Sequence, residues 1–139
     1  MCKDVRMKSL PQSDDTLLIR TDFSDQEGWK ALRIAVMTPN EDDFLANVHF
    51  VDDLAYRDVT AEQLAALLDP HALLIVADKL SIASPEQPLL CIYGGEEGTE
   101  QLRVVAEELW SIENNISIAN MDWVEFTSAA ADDGIFRGF

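Results

Sequence analysis

The chain has 139 residues, 47% of them hydrophobic, and sets 26 acidic against 10 basic residues for a formal charge of −16 at pH 7. That length suits one domain, and the apolar content excludes the disorder that such a charge brings to chains poor in Leu, Ile and Val. Nucleic acid and anionic membranes are disfavoured as partners, because both are bound through clustered Lys and Arg.

Residues 1–15 are polar, contain Pro11 and show no period; they read as a flexible leader to a single α/β domain over 16–139. The opening Met1-Cys2-Lys3-Asp4-Val5-Arg6 lacks the apolar stretch of a secretory signal. Apolar runs such as Ala72–Ala77 fall far short of the roughly 20 residues of a membrane span. Cys2 lies in the leader and Cys91 in an apolar run, so neither a disulfide between them nor a zinc site is expected. Cytoplasm is the compartment these features imply.

Thr16–Asp22 is a short apolar run typical of a buried strand. Ser24-Asp25-Gln26-Glu27 fits a capping box with Ser24 as cap, opening a helix that carries Trp29, Leu32 and Val36 on one face and stops at Thr38-Pro39-Asn40. Asn47–Asp52 predicts a second strand. Thr60-Ala61-Glu62-Gln63 repeats the box ahead of a short helix with Leu64, Leu67 and Leu68 inward, ended by Asp69-Pro70. Ala72–Ala77, without polar alternation, predicts a third strand covered on both faces. Strand, helix, strand, helix, strand is the order of parallel strands joined by crossovers.

The second half changes character. Pro88–Tyr93 and Gln101–Val105 read as two strands joined by Gly94-Gly95-Glu96-Glu97-Gly98, a link short enough to demand an antiparallel pair. Leu109, Ile112, Ile116, Ala119, Trp123, Phe126 and Ala130 then recur at helical spacing. They form either one long helix or two with a break near Asn120, which would cap the second. The closing segment, with Phe136 and Phe139, is expected to dock back on the body. The fold expected is α/β: a mixed sheet of about five strands, parallel in its first half, with helices covering its faces. Trp29, Leu32, Phe50, Ile75, Ile92, Val104, Trp123 and Phe126 should share one core.

Several strings are distinctive together: Ile19-Arg20-Thr21-Asp22-Phe23-Ser24-Asp25 with Trp29, Phe50-Val51-Asp52-Asp53, Leu109–Asn115 with Ile118–Asp122, and Asp133–Phe139. Through them the chain resembles a family of small acidic bacterial proteins classed as a domain of unknown function. The resemblance implies a bacterial, intracellular single domain and carries over no activity and no catalytic residue.

Candidate chemistry concentrates at strand ends. Asp22 closes the first predicted strand, Asp52 and Asp53 the second, and Asp78, followed by Lys79, the third. Sites of open parallel sheets form beyond the carboxyl ends of the strands; carboxylates converging there would hold Mg²⁺ through hard oxygen ligands, with Lys79 beside an incoming phosphate. Against this, Asp is favoured wherever strands give way to turns, because its side chain bonds nearby amides. His49 and His71 lack a Ser or Cys partner in a nucleophile motif. The glycine cluster lacks the Lys-Ser/Thr of a P-loop and precedes a strand. Trp110, Trp123 and Phe126 fit a core better than a ligand box.

Without a recognised catalytic motif the balance weighs against an enzyme. The reading preferred is a protein-interaction module, with an immunity-type inhibitor of a basic partner as its sharpest form, since complementary charge speeds such association; no cofactor is expected. The alternative is a Mg²⁺-dependent phosphoester-type hydrolase using Asp22, Asp52, Asp53 and Asp78.

Overall fold

The computed structural model describes residues 10–95, 98–118 and 120–139; Ala119, Glu96 and Glu97 of the expected turn, and residues 1–9 of the predicted leader with Cys2 lie outside them. It is α/β, built on one six-stranded mixed sheet in the order β2-β1-β3-β4-β5-β6. The strands are β1 (Thr16–Arg20), β2 (Val48–Val51), β3 (Leu73–Ala77), β4 (Pro88–Gly95), β5 (Gly98–Val105) and β6 (Ile135–Phe136). The helices are α1 (Gln26–Met37), α2 (Ala61–Ala65), α3 (Lys79–Ala83), α4 (Leu109–Ser117) and α5 (Trp123–Ser128).

The parallel first half is as the element order requires: β1 lies between β2 and β3 and is parallel to both. β3 and β4 pair antiparallel, as do β4 and β5. The sixth strand, beyond the five expected, is the docked closing segment, which joins β5 in parallel through Ile135 and Phe136. Two residues are too few for sequence periodicity to declare a strand.

Side-chain alternation along the strands divides the apolar residues into two layers. Leu18, Ile75, Cys91 and Val104 face Trp29, Leu32 and Val36 of α1, Ile82 of α3, Leu109 and Ile112 of α4, and Trp123 and Phe126 of α5. Ile19, Leu74, Val76 and Ile92 face the other way, toward Tyr56 in a 3-10 turn, Leu64 of α2 and Leu10 of the leader. The single core expected from sequence is therefore two, with Ile92 on the opposite side from Trp29 and Phe126, and Phe50 only half-buried. Burying a large apolar side chain contributes about 1.5–3 kcal/mol; most such residues lie on the α1 side, so that face carries most of the stabilisation.

Local chemistry sets the helix ends. The Thr60 box forms as expected, with Gln63 N–H donating to the Thr60 hydroxyl and the Gln63 side chain accepting from Thr60 N–H. At α1 the cap is Asp25 rather than Ser24: Asp25 Oδ1 accepts from Gly28 N–H at 2.8 Å, while the Ser24 hydroxyl is turned to Asp22. The long apolar stripe breaks into α4 and α5. Asn120 bonds back to Asn115, and the second helix is capped at Asp122, whose N–H donates to Glu125. The β4–β5 hairpin is tighter than expected, paired through to Gly95 and Gly98. α3 went unforeseen because five residues are too short to show a helical period.

Candidate functional site

Because β2, β1 and β3 are neighbours and parallel, their carboxyl ends share one edge, and Asp22, Asp52, Asp53 and Asp78 lie along it. They do not converge on a common point. Asp22 accepts the Ser24 hydroxyl at 3.0 Å on both oxygens. Asp52 meets Arg20 Nη1 at 3.2 Å. Asp53 caps the turn at Leu54–Tyr56 by accepting from Ala55 N–H at 2.9 Å. Asp78 takes both terminal nitrogens of Arg103, at 2.8 and 2.7 Å, and caps α3 through Ser81 N–H. Lys79 is exposed in the first turn of α3. Among the described residues no group of three or more His, Cys, Asp or Glu is placed to hold a metal ion.

Arg20 and Arg103 organise this edge, and sequence reasoning passed over both. The Arg20 side chain is 3% exposed. Its Nε donates to the Asp22 carbonyl and Nη1 to Gln26 as well as Asp52, while the guanidinium lies 4.3 Å from the Phe23 ring centre and 5.1 Å from that of Trp29. A buried cation needs that set of acceptors. The signal was present, since an arginine inside Leu17–Thr21 must be buried against a partner. Arg103 crosses from β5 to the end of β3, also donating to the Pro88 carbonyl at 3.0 Å. Burial pushes the Asp78 carboxyl up, but the hydrogen bonds and charge of Arg103 together with Ser81 outweigh it, and the group is held below the ordinary aspartate value. The buried Cys91 thiol is pushed up to about 12, by loss of solvation against a smaller opposing effect of Arg103; so high a value leaves no thiolate at neutral pH to act as a nucleophile.

At the opposite ends of the same strands sits a carboxylate that no motif announced. Glu113 of α4 is 2% exposed. Oε1 accepts from Asn47 N–H (2.7 Å) and Asn114 Nδ2 (3.0 Å); Oε2 accepts from the hydroxyls of Thr16 (3.0 Å) and Ser117 (2.7 Å). It ties α4 to the starts of β1 and β2 and is structural. His49 is exposed on β2, and His71 has the Tyr93 hydroxyl as its partner, 3.3 Å from Nδ1, rather than a serine or cysteine.

The rest of the surface is predominantly acidic, with Lys30, Arg33, Arg57 and Lys79 exposed among the carboxylates. Arg137 is gripped by Glu86 and Asp133, with its nearest contacts at 2.6 and 2.7 Å, so a third arginine joins Arg20 and Arg103 in internal ion pairs. Arg33 lies over the Phe50 ring, 5.2 Å from its centre. Exposed carboxylates at Glu41, Asp42, Asp43, Glu62, Asp69, Glu107, Asp122 and Asp132 have no ion pair among the described residues. A cleft of about 540 Å³ opens beside the carboxyl end of α1, between Pro39, Pro85 and Val105, with Glu86, Glu107 and Arg137 on its rim.

A family model described as a domain of unknown function, DUF6924, matches residues 15–139. The chain belongs to that family. The DUF6924 match begins one residue ahead of β1 and runs to the last residue, so it takes in the whole sheet, all five helices and every residue of the site discussed above. Membership of a domain-of-unknown-function family, which the resemblance implied, is thus confirmed. Comparison with curated proteins finds no match. Among the described residues no helix of this DUF6924 domain is long and apolar enough to cross a membrane.

Proposed function

We propose that this DUF6924 domain is an acidic protein-binding module whose partner is basic, acting as an inhibitor or immunity-type protein does, by occupying the partner's charged surface. One observation carries the reading: acidic residues outnumber basic ones 26 to 10, and among the described residues Arg20, Arg103 and Arg137 are already paired with carboxylates of the same chain while exposed acids such as Glu41, Asp42, Asp43 and Glu107 have no ion pair. A predominantly acidic surface raises encounter rates with a basic protein and repels acidic competitors. The Mg²⁺ alternative gains no comparable support, because each strand-end aspartate has a protein donor of its own.

The test is retention followed by reconstitution. The tagged chain, mixed with an extract of its source organism at low ionic strength, is expected to hold a basic protein. That protein, once purified, rebinds with an association rate that falls steeply as NaCl is added, and any enzymatic activity it has is suppressed at equimolar addition. A retained set without a basic member, or a purified pair whose association ignores salt, overturns the proposal.

A further inference from the structure

We infer that the cleft at the carboxyl end of α1 is the docking point for that partner and takes one of its lysine or arginine side chains; the inference rests on the function proposed above. Three features meet there. The first is the end of α1 itself. A helix of this length presents partial negative charge at its carboxyl end, which a nearby cation stabilises. The last turn of α1 contains no basic residue, and Ala35, Thr38, Pro39 and Asn40 of that end form one wall of the cleft.

The second feature is the acid around it. Asn40 holds the following loop closed: its side-chain oxygen accepts from Asp42 N–H and Phe44 N–H at 2.9 Å, and its own N–H donates to the Phe44 carbonyl. Phe44 is pinned by stacking on Trp110, ring centres 5.1 Å apart. Glu41, Asp42 and Asp43 therefore stand exposed on an ordered loop that leaves directly from the cleft wall, with Glu107 on the facing rim. The third is the apolar lining of Pro39, Pro85 and Val105. Lys and Arg lay their carbon stems along apolar surface while the charged head stays with polar partners; an apolar wall beneath an acidic rim is shaped for that. One cation of the chain already stands at this rim: Arg137 places its guanidinium on Glu86, and on Asp133 beyond the cleft.

Arg137 therefore competes with an incoming cation, which makes the test a gain as well as a loss. The probe is a capped six-arginine peptide titrated into the full chain at low ionic strength, read by backbone amide chemical shifts. The largest shifts are expected at residues 35–43, 86–87 and 105–107. The triple variant Asp42→Asn, Asp43→Asn, Glu107→Gln should bind about five- to tenfold more weakly, the sum of a few exposed ion pairs. Asp43 has a φ of 65°, a region that Asn also tolerates. Arg137→Gln should bind more tightly, because it vacates Glu86 and Asp133. The control Glu62→Gln, Asp69→Asn, on and just beyond α2, should change affinity less than the triple variant.

Shifts spread over acidic residues of every face, a control as weak as the triple variant, or no gain in Arg137→Gln would each overturn the cleft while leaving a basic partner intact. If Arg137→Gln does not fold, the triple variant and its control decide alone. No binding of the peptide anywhere overturns the cleft and the proposed function together.

Discussion

Glu113 is buried without a cation among its hydrogen-bond partners, and the kinds of donor around it decide what can replace it. Oε1 faces two N–H groups, which only donate, whereas Oε2 faces the Thr16 and Ser117 hydroxyls, which can reverse and accept. Glu113→Gln can place its carbonyl on the first pair and its amide on the second, so it is expected to cost less than about 1 kcal/mol. Glu113→Ala strands the Asn47 N–H and opens a gap under α4, at about 2–4 kcal/mol by the unsatisfied-donor and cavity scales. Denaturant unfolding of the two variants checks the order; equal losses would show that charge, not hydrogen bonding, is what the site requires. Asp78 gives a second expectation at this scale. Its carboxyl is held below the ordinary value of 3.8 by Arg103 and Ser81 against the opposing effect of burial. A depressed folded-state value means that the linked stability is complete above 3.8 and is lost as pH falls below it. Arg103→Gln should flatten that acid limb of the stability curve, measured as Tm against pH, and a limb unchanged in the variant would exclude the pair as its cause.

Among the elements, α1 and α3 approach so closely that a Cβ built on Gly28 would stand 2.6 Å from Ile82 Cγ2 and 2.9 Å from the Ile82 carbonyl oxygen. Helix propensity favours Ala over Gly by about 1 kcal/mol, so intrinsic preference and packing predict opposite signs for Gly28→Ala. Packing wins, since part of the obstruction is backbone; the variant should lose about 1–3 kcal/mol as an overpacked core does. A rise in Tm would show that α3 yields. This contest illustrates what was legible in the sequence and what was not. The Thr60 box was legible because both partners lie within one helical turn. The α1 cap was misassigned by one residue because Ser24 and Asp25 are equally good caps; the choice is made by Asp22, which holds the Ser24 hydroxyl. Glu113 was invisible, since a glutamate on a helix reads as solvent-facing until Thr16, 97 residues away, is seen to meet it. Arg20 was visible in principle, as a charge inside an apolar strand. The edge bearing the four aspartates followed from element order, and Asp22 and Asp53 find donors two residues on, but the arginines of β1 and β5 that meet Asp52 and Asp78 are specified by no local pattern.

For the molecule as a whole, a charge of −16 on one small domain opposes compaction through self-repulsion. NaCl should therefore raise Tm, steeply at first and then levelling as the Debye length shrinks to about 10 Å near 0.1 M. MgCl₂ or MnCl₂ at matched ionic strength should do no more than NaCl, because Asp22, Asp52, Asp53 and Asp78 each have a protein donor already. A further rise with the divalent ion that Asp22→Asn abolishes would return the metal reading to first place.

The bond between Thr16 and Glu113 also bears on the order in which the chain is made. β4 and β5 close on themselves across a two-residue link, whereas β1 receives β3 only after some fifty intervening residues and the Glu113 carboxylate only after 97. Loop closure favours the local pair first. On a ribosome β1 thus emerges earliest, and Leu17, Leu18 and Ile19 wait for β2 and β3 before the sheet flanks them on both sides. Pulsed hydrogen exchange during refolding is expected to protect Cys91 and Leu102 before His49; simultaneous protection would mean that the sheet assembles in one step. Exposed acid at Asp14 and Asp15, immediately before β1, places repulsive charge where two nascent chains would otherwise stick, so the acidity that suits a basic partner also serves as a gatekeeper against self-association.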